Sequence, residues 1–206
     1  MARLNLWRPS LIAVAVLVLA CSNPAEVNAD TFDSWLAAYP QRQAAFARFE
    51  AMLAEEGVSG VIPAQELWLV DQIRPQCAQE PYVAPPEAAW RNLVPALRYI
   101  RDHVKPAIGE VRVVSGYRDE AFNTCIRGAS GSAHRAYYAL DLVPVDAGVS
   151  REDLIALLCP IHETDGRRAG IGMGIYSARR FHIDARSYRG WGHNHRSATF
   201  PCVTER

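Results

Sequence analysis

A chain of 206 residues, half of them apolar, is long enough to bury a core and is not an intrinsically disordered polymer. Basic and acidic residues balance at 22 each, so no net field draws the chain to nucleic acid or anionic lipid, and no like-charge run suggests a binding tail. The simplest organisation is one domain, expected as a monomer, behind an N-terminal appendage.

In chain order, Arg3 and Arg8 precede the apolar run LIAVAVLVLA, residues 11–20, which is too short to span a bilayer and has the build of a secretory signal. The run stops at Cys21. A Cys preceded by VLA resembles the lipobox of bacterial lipoproteins, which implies removal of residues 1–20 and a lipid on Cys21 that anchors the protein to a membrane. An ordinary signal peptide cut after VNA, residues 27–29, is the alternative. The expected location is periplasmic, and Ser22 after the lipid-bearing Cys favours the outer membrane. Residues 22–30 are small and polar and read as a tether. With Cys21 set aside, Cys77, Cys125, Cys159 and Cys202 form an even set in an exported chain, which predicts two disulfides with three possible connectivities. No two of them lie at a C-x2-C spacing, so a zinc-thiolate site is disfavoured.

Residues 31–76 carry a helical pattern in which Phe46, Phe49 and Leu53 share a face, while Pro40 and Pro63 sit where a first helical turn tolerates proline. The proline-rich stretch from Cys77 to Trp90 predicts an extended connection. Leu97, Ile100 and Val104 then predict a helix that begins or kinks near Pro95. The stretches EVRVVSGYR, YYALDLV, GIGMGIY and RFHIDAR have the composition of short strands. Helices first and strands later predict an α+β domain with a small, mostly antiparallel sheet and flanking helices, residues 77–206 forming its chemical part.

His134 and Asp141, seven positions apart at a turn-to-strand transition, are candidate ligands of one metal ion. A catalytic zinc takes three protein ligands and leaves a place for water, so a third ligand is needed downstream. His182 is the best candidate, and period-two alternation puts Asp184 on its face of the strand, available to orient the imidazole or to accept a proton from water. The His193 and His195 of WGHNH compete for the ligand or base role. His103 and His162 lack motif context and are expected at the surface or at helix ends. GIGMGIY lacks the full G-x-G-x-x-G spacing of a nucleotide loop and reads as a glycine-rich strand that lets a substrate backbone come close.

Taken together, the S-x-Y-R of Ser115–Arg118, Asn123, the Gly128-Ala129-x-x-Ser132-x-His134 segment, Asp141 and the Phe181-His182-x-Asp184 run before Trp191 resemble the zinc D-alanyl-D-alanine carboxypeptidases and their peptidoglycan endopeptidase relatives, whose fold is shared with the Hedgehog signalling domain. The resemblance covers roughly residues 77–195. It implies that His134, Asp141 and His182 bind Zn2+, that Arg118 grips a substrate carboxylate, that Ser132 and Tyr117 line the substrate site, and that a stem peptide of peptidoglycan is hydrolysed, with Asp184 the first choice for general base. A non-catalytic zinc-containing binding module of the same fold is the alternative. Two positions depart from the family pattern. Tyr137 stands where many relatives have Gly, which suggests an aromatic wall at the site, and Arg180 stands where some have a catalytic His.

Overall fold

Alternation along two neighbouring strands places the apolar and the polar residues of the sheet on opposite faces. In the computed structural model, which describes residues 29–204, strand β2 (Ala139–Pro144) turns Leu140 and Leu142 into the core and Asp141 to the other side. Strand β4 (Phe181–Asp184) does the same with Phe181 and Ile183 against His182 and Asp184. With β1 (Val111–Ser115), β3 (Gly172–Ile175) and β5 (Arg189–Trp191) they form a five-stranded sheet of order β1-β2-β4-β3-β5. All pairs are antiparallel except β3 with β5. The expected class, α+β with a mostly antiparallel sheet, is therefore the one observed. The four stretches read as strands are β1 to β4, and β5 is an addition that the sequence pattern did not signal.

Two helices, α1 (Ala29–Ala37) and α2 (Pro40–Glu55), supply the aromatic side of the core. Pro40 starts α2, where the missing N–H costs nothing. Phe46 and Phe49 meet Trp68 and Trp90 edge-on or tilted, with ring centroids 4.9 to 5.4 Å apart. Leu97, Ile100 and Val104 lie fully buried along one continuous helical stretch, with Pro95 at the second position of its first segment, Val94–Tyr99. One apolar cluster runs from Phe32 through the sheet to Cys202, so the helical layer and the sheet share a core.

Residues 69–72 run beside the edge strand β1. Gln72 donates its N–H to Val114 O and Gly116 to Leu69 O, which carries Asp71 to the polar face of the sheet. The disulfides pair Cys77 with Cys125 and Cys159 with Cys202. The first ties the connection after residue 74 to the helix Glu120–Cys125; the second ties the helix Arg151–Ile161, started by a Ser150–Asp153 capping box, to the C-terminal turn. The stretch read as a signal segment, Cys21 and residues 22–28 of the expected tether lie outside the described residues, while Ala29 and Asp30 already belong to α1. No helix among the described residues is long and apolar enough to cross a membrane.

Candidate metal centre and its cleft

The register of β2 against β4 sets Asp141 directly opposite His182. His134 arrives from a single 3-10 turn, Ala133–Ala136, whose carbonyl O of His134 accepts from the Arg118 N–H. Asn123 braces the loop before that turn, donating its Nδ2 to the carbonyls of Gly128 and Ala129, and a side chain at Gly128 would collide with the Asn123 amide. Three distant pieces of chain thus bring His134, Asp141 and His182 together, all buried, with one ligand atom from each inside 4.8 Å of the others.

The outer nitrogens of the two imidazoles decide what the inner ones can do. His134 Nδ1 lies 2.7 Å from Gly116 O, which can only accept, so Nδ1 carries the proton and Nε2 a lone pair. His182 Nε2 lies 3.1 Å from Asp184 Oδ2, so its proton sits there and Nδ1 is the inner lone pair. These inner nitrogens are 3.2 Å apart, and Asp141 Oδ1 is 3.0 Å from one and 3.6 Å from the other. Two lone pairs and a carboxylate that converge repel each other unless a proton or a metal cation lies between them. The donor set of two imidazole nitrogens and one carboxylate oxygen, each oriented from behind, fits a zinc ion. Burial, helped by the Arg118 charge, lowers His134 to about 4. Burial opposes charging of His182, but hydrogen bonds to Asp141 and Asp184 outweigh it and raise that imidazole above 6.5. Burial would raise Asp141, yet the two imidazoles hold its carboxyl well below the usual range.

Asp184 has no exposed surface. Its Oδ2 accepts from His182 and from Arg189 Nη2, and its Oδ1 from the Arg186 N–H. Asp141 Oδ2 is likewise held by two guanidiniums, Arg118 Nη2 at 2.7 Å and Arg180 Nη1 at 3.3 Å. Arg118 Nε also donates to Ser115 Oγ, and Arg180 lies over the Tyr176 ring at 4.0 Å. The three buried residues open on a cleft of about 670 Å³ that Ser132, Tyr176, Trp191 and His195 also line. Tyr117 stands outside it, in an adjoining hollow that shares Arg118 and Ser132.

Several residues read differently from the sequence pattern alone. Tyr137 keeps the left-handed backbone that favours glycine, φ +57°, but its ring is fully buried between Phe49 and Tyr117 and its hydroxyl donates to Leu67 O. It is a core anchor and lines neither hollow, because the turn that presents His134 aims the next side chain at the aromatic layer. The β3 glycines do not serve a substrate backbone either. A side chain at Gly172 would strike Asp184 and Arg189, and one at Gly174 would strike the Trp191 indole, so these glycines make room for the residues behind the centre. His162, expected at a surface or helix end, is buried, hydrogen-bonded to Ile171 O and stacked on Tyr188. His103 is half-buried, 3.7 Å from Asp165. His193 and His195 are both exposed, and His195, held at φ +61°, also packs its ring on Tyr176 at the cleft. Arg180 and Arg189 had no assigned role in the pattern; a cationic residue within two to five positions of an acidic strand residue is too common a signal to single them out.

A buried pair of imidazoles with one carboxylate, oriented from behind and open in front to a cleft of ligand size, is a site that can hold a metal ion against a bound ligand. The comparison with protein families makes this specific: residues 65–184, more than half of the chain, match the family model Peptidase M15. The chain belongs to the Peptidase M15 family and is a peptidase by membership. No match was found among curated proteins, and none among solved structures.

Proposed function

We propose that this protein is a zinc-dependent peptidase that hydrolyses a peptide bond in the stem peptides or cross-links of peptidoglycan, exported and held at a membrane by a lipid on Cys21. The observation that carries the reading is the convergence of His134 Nε2, His182 Nδ1 and Asp141 Oδ1 in a buried site with both outer imidazole protons already engaged. A zinc ion, when bound, supplies Lewis acidity, lowering the pKa of water and polarising a carbonyl oxygen. The protein does the rest. Asp184 and Gly116 O lock the two imidazoles in the ligating tautomer, and Arg118 and Arg180 keep Asp141 ionised and aimed. Arg118 Nη1 has no partner among the described residues and is available to a substrate carboxylate at the cleft wall.

Hydrolysis also needs a proton acceptor with a free lone pair. Asp184 has both oxygens engaged and no surface, so in this reading it is a positioning group. Asp71 Oδ1 accepts from two backbone N–H groups, and its Oδ2 faces Arg118 at 3.9 Å. His195 remains. Burial and the Arg180 charge hold its pKa below 6.5, which leaves it neutral at neutral pH and able to take the proton.

The test is metal analysis of purified protein, followed by digestion of muropeptides with and without a chelator and mass spectrometry of the products. One equivalent of zinc and chelator-sensitive cleavage are expected, and the product masses name the bond. Bound zinc with no muropeptide cut under any condition sinks the reading. His195→Ala should keep its zinc and lose kcat by roughly 10²- to 10⁴-fold; loss of the metal instead would move WGHNH into the ligand set.

A further inference from the structure

The chain is neutral overall, yet its arginines gather around the groove. Arg74, Arg118, Arg127, Arg180 and Arg189 line the cleft against only Asp71 and Asp141. Arg118, Arg180 and Arg189 are committed to carboxylates of the centre. Beyond the Gly131–Ser132 wall, the adjoining hollow of about 750 Å³ adds two more, Arg135 and Arg186, between Tyr117 and Tyr138.

The placement of this second pair is specific. Arg135 Nη1 donates to Ser130 O at 2.7 Å and Arg186 Nη1 to Gly131 O at 2.6 Å. Both guanidiniums are thereby anchored to the Ser130–Gly131 loop and line the same hollow. Each keeps further N–H donors. The single acid in the hollow is Glu120, whose side chain is 86% exposed and whose oxygen lies 3.9 Å from Arg135, a surface pair of little strength. Arg186 has no carboxylate partner among the described residues. Two arginines anchored to one loop in one hollow, facing only the exposed Glu120, offer their remaining N–H donors to an anion. The two hollows adjoin at Gly131 and Ser132 and share Arg118, so a ligand that extends past Ser132 meets both.

We propose that the hollow of Arg135 and Arg186 is a second subsite of the same groove, which grips a carboxylate carried by the peptide substrate at a distance from the bond that is cut. This rests on the peptidase reading above. The substrate is then an acidic peptide long enough to pass Ser132 and fill both hollows, with its carboxylate placed by the Arg pair while the scissile carbonyl lies at His134, Asp141 and His182.

The test compares purified muropeptides with the same preparation after conversion of its carboxylates to amides by carbodiimide and ammonia. The wild-type protein should cut the native preparation with the higher kcat/KM. Arg135→Gln/Arg186→Gln should shrink the native-to-amidated ratio about tenfold or more, through KM, with zinc content and melting temperature retained. Arg135→Lys/Arg186→Lys should recover part of it. An unchanged ratio in the Gln variant, or a wild type indifferent to amidation, overturns the subsite while leaving the peptidase intact. If zinc-loaded wild type cuts neither preparation, the peptidase reading fails, and equilibrium binding of the same two preparations decides the subsite: a preference for the native form that the Gln variant loses supports it, and equal binding overturns it.

Discussion

The two faces of β2 and β4 are built from alternating residues of the same two strands and obey opposite rules. On one face Leu140, Leu142, Phe181 and Ile183 sink into a layer of aromatic rings, where shape and volume decide and no atom needs a particular partner. On the other, Asp141, His182 and Asp184 are just as buried, but every polar atom is assigned to a named neighbour. The apolar face contributes stability, whereas the polar face gathers ligand atoms that can hold a metal ion. The comparison can be broken by mutations that separate the two properties.

The largest separation should come from His182→Ala, which removes a ligand that the opposing strand cannot replace. Bound zinc, read by metal analysis, should fall to background together with any peptidase activity, while the metal-free variant still folds, read by a cooperative melting transition. Its neighbour on the apolar face gives the converse. Phe181→Ala leaves a void under the sheet and should cost about 3–5 kcal/mol in denaturant unfolding, with zinc stoichiometry retained by the molecules that stay folded. A variant that loses zinc before it loses stability would show that the two faces are not independent. Asp184→Asn should be milder than either, weakening zinc about 10- to 100-fold in competition titrations by loosening the His182 ring and freeing Arg189, without emptying the site.

The smallest effect is set by protons. His134, at about 4, is already neutral at neutral pH, and Asp141 is ionised throughout. His182 alone is raised, so below its elevated pKa it holds a proton that zinc must displace. Zinc affinity should therefore be constant above that pKa and fall up to tenfold per unit as pH drops below it, with about one proton released per ion. Calorimetry in buffers of different ionisation enthalpy measures that release. A release of two protons at a pH where zinc-bound water stays protonated would mean that both imidazoles are charged in the empty site.

The residue pattern was most legible where function depends on neighbours in sequence. Alternation placed His182 and Asp184 on one face, the proline positions marked helix starts, and the spacing of His134, Asp141 and His182 with Ser115–Arg118 carried the family resemblance. It was least legible where side chains from separate segments meet. The destination of Tyr137 illustrates this: the residue type suggests a wall of the site, but the aromatic layer from α2 lies on the other side of the turn and takes the ring. His162 was misplaced for the same reason, since only the packing of Tyr188 and the Ile171 carbonyl against it makes a buried neutral imidazole tolerable.

What the sequence determined by itself is the inventory and its local direction: which residues can ligate, which strand face each occupies, and that four cysteines can pair. Three decisions belonged to tertiary structure alone. The strand order β1-β2-β4-β3-β5 put Asp141 opposite His182 and left WGHNH at the rim of the cleft; the meeting of residues 77 with 125 and 159 with 202 selected one disulfide pattern of three; and the loop at Ser130–Gly131 gathered Arg135 and Arg186. The physical reason is the same in each case. Alternation and turn chemistry act over a few residues, whereas a site made of converging charges exists only when the register between distant strands and loops is set, and that register is chosen by burial of the opposite face.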